Sequence, residues 1–107
     1  MPAMYGLIGR IRAVPGRRDE LTTLLTGMGS MPGCLLYLVA NDRDDPDSLV
    51  VTEVWDDESS HRASLALPAV QEAIGRGRAL IAGMEQVAST EPIGGIGFTA
   101  LGTDETI

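Results

Sequence analysis

At 107 residues, 44% hydrophobic and 21% charged, the chain has the size and composition of one folded domain. It is too short for a barrel enzyme of roughly 250 residues or for a full dinucleotide-binding fold. Fifteen acidic residues against eight basic ones give a net charge of −7, a field that repels nucleic-acid phosphates and anionic membranes, so no nucleic acid and no membrane is expected as a partner.

Tyr5, Leu7, Gly9, Ile11 and Ala13 alternate with Gly6, Ile8, Arg10 and Arg12, the two-residue period of a first strand. Val14-Pro15-Gly16 breaks the ladder, and Leu21, Leu24, Leu25 and Met28 form the stripe of an amphipathic helix over about 17–29. Asp19 and Glu20 in its opening turn suit the positive end of the helix dipole. After Met31-Pro32-Gly33, residues 34–40 are apolar throughout, which predicts a central strand covered on both faces. A polar turn cluster, Asn41 to Asp47, leads into a third strand over 49–55, so the pair reads as a hairpin. Leu49, Val51, Glu53 and Trp55 then share one face, which sets a carboxylate between aliphatics and a tryptophan.

Asp56 or Asp57 can cap a helical segment from Glu58, and Pro68 divides it into pieces over 58–66 and 68–81. Gly83 is expected to end the second piece, with a last strand over 85–91 closed by Pro92. Residues 1–92 are expected to form the domain, and the Gly-rich, acidic residues 93–107 a tail or dimer arm.

The order β-α-β-β-α-β is that of a ferredoxin-like α+β fold, an antiparallel sheet with its helices on one face. The other face would then lie bare in a single copy, and the apolar second strand asks for cover, so a homodimer packed sheet against sheet is expected. No apolar run reaches the roughly 20 residues of a membrane span, and the first residues lack a secretory pattern, so the expected location is the cytoplasm.

Several chemistries are closed to this composition. All basic residues are arginines, which removes lysine Schiff bases and lysine general bases. One cysteine, Cys34, allows no internal disulfide, and with one histidine it makes no usual zinc site; Cys34 reads as a small core residue. Asp42, Asp44 and Asp47 superficially suggest a calcium loop, but Pro46 and Asp47 stand where a ligand and a glycine are required. Gly94-Gly95-Ile96-Gly97 is no phosphate cradle, since neither a Lys-Ser/Thr pair nor a helix follows.

The string Glu53-Val54-Trp55, then Glu58, His61, Ala63-Ser64-Leu65, Pro68 and Val70, preceded by Pro32-Gly33-Cys34, resembles the antibiotic biosynthesis monooxygenase family and its quinol monooxygenase-like members. The resemblance covers about residues 5–90. It implies a dimeric α+β barrel with a pocket between each sheet and its helices. It also implies oxygenation of a quinol, anthrone or other phenolic molecule by dioxygen, without flavin, metal or other cofactor. Trp55 would pack on the substrate ring, and His61 stands where some aromatic-polyketide oxygenases of the family carry a tyrosine. Val51 replaces an asparagine of those enzymes, and Leu65 occupies the place of the histidine that the haem-degrading branch requires.

His61 can accept a phenol proton, its alternative being a helix histidine bonded to Glu58 or water. Glu53 can act as a base in an apolar cavity, its alternative being an ion pair with an arginine such as Arg10 or a hydrogen bond at the dimer seam. Tyr37 and Asn41, four apart on the second strand, can offer polar contacts to a ligand. The candidate set is thus His61 and Glu53 as catalytic groups, and Trp55, Tyr37 and Asn41 as binding groups, with no metal. The reading from a different class is a noncatalytic or stress-response dimer holding a hydrophobic small molecule in the same barrel, and a third is an isomerase or cyclase.

Overall fold

A computed structural model describes residues 3–97. The elements are β1 (Tyr5–Ala13), α1 (Arg18–Thr26), β2 (Cys34–Asn41), β3 (Ser48–Trp55), α2 (Glu58–Ser64), α3 (Pro68–Gly77) and β4 (Ile81–Thr90). The strands form one antiparallel sheet in the order β2-β3-β1-β4. This is the ferredoxin-like α+β arrangement expected from the element order, with the second helix divided at Pro68, which stands in the first turn of α3 where its missing N–H costs nothing.

Four expectations are corrected. β2 lies at the sheet edge, not at its centre, because β1 takes the place between β3 and β4 and leaves β2 only one neighbour. Its apolar run therefore keeps exposed positions, Leu38 among them. Helix α1 stops at Thr26, short of the Met28 predicted on its stripe. Gly27 and Gly29 follow, Gly29 at φ +80°, a backbone that glycine adopts without strain. Helix α3 ends at Gly77, and β4 starts at Ile81, inside the stretch assigned to the helix. The glycines at 75 and 77 weaken the last turn, and β-branched Ile81 opens the strand. The hairpin loop is held from within the fold: the Arg18 guanidinium donates to the Asp45 carbonyl at 2.9 Å, and Asp45 accepts from the Asp47 N–H at 2.9 Å and the Ser48 hydroxyl at 2.7 Å.

Two apolar clusters lie between sheet and helices. Leu21, Leu49, Ile11, Ala13, Val51 and Leu80 form one, at the end of the sheet where β3 begins. Met31, Trp55 and Val70 form the other, at the end where β3 finishes. Of the expected tail, residues 93–97 carry no helix or strand, and Ile93 and Ile96 are exposed; the rest, 98–107, lies outside the described residues. No helix among the described residues is long and apolar enough to cross a membrane.

Candidate functional site

Between the two clusters the helices stand off the sheet and leave a cavity of about 690 Å³, within the range of small-molecule sites. Leu7, Ile11 and Val51 floor it, while Leu21, Leu25 and Ile74 close it from α1 and α3. Most of its lining is apolar. Glu53, Tyr37 and His61 reach it at the end where β3 finishes, together with Trp55.

Strand periodicity sets Glu53 and Trp55 side by side, and the indole Nε1–H of Trp55 donates to Glu53 Oε1 at 2.9 Å. Asp57 then turns the chain. Its carboxylate accepts from the Ser59 hydroxyl at 2.8 Å and caps α2 through the Ser60 N–H at 2.9 Å. These bonds hold the Asp57 carboxyl below its usual pKa. One turn on, His61 swings back over β3, its Nε2 at 4.0 Å from Glu53 Oε1. The imidazole is clamped by two rings, edge-on to Trp55 with centroids 5.5 Å apart and tilted against Tyr5 at 5.4 Å. The His61 and Glu53 side chains are only 20% and 17% exposed, so the pair faces the cavity and not bulk water.

Neither alternative partner is used: Glu58 pairs with Arg62 at 3.7 Å, and Arg10 pairs with Asp42 at 3.3 Å and Glu85 at 3.8 Å. Burial pushes the Tyr37 phenol well above its ordinary pKa, and the Glu53 charge adds to the shift. Cys34 packs against the Met31–Trp55 cluster, where burial, then Glu53, raises its thiol pKa. Asn41 is set apart, exposed at the far end of β2 and not on the cavity wall. Sequence reasoning brought Glu53 and Trp55 together but missed the Tyr5 side of the clamp, whose one signal is its place on the inward face of β1. It also missed Met31 and Arg78, which line the cavity from a loop and a helix end that carry no periodic pattern, and Met84, which lies in β4 just before the stretch predicted as strand.

Among the described residues no cluster of three or more His, Cys, Asp or Glu side chains is placed to hold a metal ion. The chemistry this arrangement offers is proton transfer: an apolar chamber, an imidazole held in one orientation, and a carboxylate beside it to stabilise the imidazolium.

Comparison with protein-family models matches residues 4–76 to antibiotic biosynthesis monooxygenase. Among solved structures, a protein from Chloroflexus aurantiacus named for the antibiotic biosynthesis monooxygenases is 56% identical over 89% of this chain and 98% of its own, with a TM-score of 0.85. A protein of the same designation from Deinococcus radiodurans is 28% identical over 87% of this chain and 96% of its own, with a TM-score of 0.72. A third, from Caulobacter crescentus, is 15% identical over 87% of this chain and 92% of its own at a TM-score of 0.76, a likeness of fold. Comparison with curated proteins gave no match.

Proposed function

The chain belongs to the antibiotic biosynthesis monooxygenase family, and on that premise we propose that it is a cofactor-independent monooxygenase acting on a quinol, anthrone or related phenol. The observation that carries this reading is the His61–Glu53 pair, 4.0 Å apart and largely shielded from solvent at the end of an apolar cavity. A phenol in the cavity presents its hydroxyl to this pair, while Trp55, 1% exposed, braces the site from behind and does not offer its ring face as the sequence suggested. His61 Nε2 takes the proton, Glu53 stabilises the resulting imidazolium, and the Trp55 N–H fixes the carboxylate in place. Tyr37, protonated as a phenol is at neutral pH, supports the substrate without contributing a second negative charge. The phenolate is the reductant. It passes an electron to dioxygen, and recombination forms the carbon–oxygen bond. With an anthrone, the two methylene hydrogens leave in water with one oxygen atom, while the other becomes the new carbonyl, so the substrate supplies every electron.

The reading includes a homodimer. Ile8, Leu36, Leu38, Val50 and Ala88 share the sheet face opposite the helices, and a second copy would cover that apolar surface. Oxygen uptake over a panel of quinols and anthrones tests the activity. Uptake above the autoxidation background is expected, falling about 100-fold or more in His61→Ala; no uptake above background overturns it. The predominantly apolar wall also suits a noncatalytic protein that holds a hydrophobic small molecule. Thermal stabilisation by such ligands without any oxygen uptake would favour that reading instead.

A further inference from the structure

Helix α3 runs along the cavity. Val70 in its first turn packs beside Trp55, while the turn after its last residue brings Leu80 against the cluster of Ile11 and Ala13. Its 10 residues, at about 1.5 Å each, separate these ends by roughly 15 Å. His61 and Glu53 stand at the Trp55 end. At the other, Arg78 follows the helix and lines the cavity.

Among the described residues Arg12, Arg43 and Arg78 have no ion pair, and of these three only Arg78 lines the cavity. Arg10, also on the cavity wall, is engaged by Asp42 and Glu85. Arg17, Arg62 and Arg76 each pair with a glutamate, and Arg18 holds the hairpin carbonyls. Among the described residues no carboxylate lies within ion-pair distance of Arg78. The same wall carries Ile74 and Met84, 39% and 71% exposed, and Glu85, whose charge is met by Arg10, so Arg78 is the cation left unpaired where the cavity opens to solvent.

We propose that Arg78 anchors a carboxylate at this mouth, which makes the ligand an amphiphilic aromatic acid with its phenol at His61–Glu53 and its acid group at Arg78. This rests on the reading of the cavity as a phenol site. A guanidinium meets a carboxylate through two parallel hydrogen bonds, and the length of the arginine side chain can take up part of the span, so two fused rings with substituents at opposite ends suit the remainder. The poles also fix orientation, because an acid group turned inward would face the Glu53 carboxylate. In a chain of net charge −7, a local cation is needed for an anion to dock at all.

Fluorescence titration with 6-hydroxy-2-naphthoate and its neutral carboxamide tests the assignment. The wild type is expected to favour the acid by about fivefold at low salt, with the preference shrinking as salt is added. Arg78→Gln should bind both probes as the wild type binds the amide, while Arg62→Gln, whose ion pair with Glu58 lies on the surface, should retain the preference. Equal binding of the two probes by the wild type, or a preference that survives Arg78→Gln, overturns the anchor and leaves the phenol site standing. Failure of both probes to bind overturns the anchor and counts equally against the phenol site.

Discussion

Glu53 accepts the Trp55 N–H and faces His61, with no arginine paired to it among the described residues. Glu53→Gln preserves the shape and an acceptor for the indole while removing the charge that stabilises an imidazolium. The expected result is an unchanged melting temperature with oxygen uptake reduced at least tenfold, on the order of one charge-assisted hydrogen bond. Equal activity would remove Glu53 from the mechanism. Trp55 is fully buried, so its replacement by Ala is expected to cost about 3–5 kcal/mol of stability by chemical denaturation, which leaves Trp55→Phe as the functional probe. Tyr37 gives a pH signature. Its pKa is raised in the folded chain by burial and the Glu53 charge, so above about pH 10 the unfolded chain releases this proton first. The stability tied to the neutral phenol is complete below that pH and is lost as pH rises through the folded value. Denaturant midpoints are expected to fall less steeply in alkali for Tyr37→Phe than for the wild type; parallel curves would contradict the shift.

At the scale of elements, the turn before β2 and the start of α2 act as one piece. Gly33 has φ +82°, and a Cβ there would come within 2.6 Å of Ser60 and 2.8 Å of the Asp56 carboxylate, while its carbonyl accepts the Asp56 N–H at 2.9 Å. Gly33→Ala is therefore expected to cost roughly 1–3 kcal/mol and to displace α2, and His61 with it. Circular-dichroism melts and oxygen uptake should both fall; unchanged values would show that the turn tolerates a side chain. Local patterns made much of this fold legible. Alternation marked β1 and β3 and set Glu53 beside Trp55, and Asp57 and Pro68 punctuated the helices through their own capping and N–H chemistry. The order of strands was not legible for β2, because an apolar run reads alike whether its cover comes from neighbouring strands or from layers above and below. The C-terminal end of α3 was misread since Ile81 continues the helical stripe as readily as it opens a strand. The approach of His61 to Glu53, and the place of Arg78 at the mouth, depend on how elements pack and have no counterpart in spacing.

For the molecule as a whole, the helices cover one sheet face and leave Leu38 52% exposed on the other. Sedimentation of the wild type is expected to give a dimer, and Leu38→Glu, which sets a charge in the paired face, should give folded monomers. A wild-type monomer would contradict the pairing of sheets. The cavity is the second consequence of that layering, since helices held at a distance from the sheet leave a largely apolar chamber with the His61–Glu53 pair at one end. In the proposed function the cavity takes a proton from a phenol before dioxygen arrives. The direct test is the absorption spectrum of a hydroxynaphthalene bound without oxygen at neutral pH. The wild type should show the naphtholate band, and Glu53→Gln and His61→Ala the spectrum of the neutral naphthol; a neutral spectrum in all three would contradict the account.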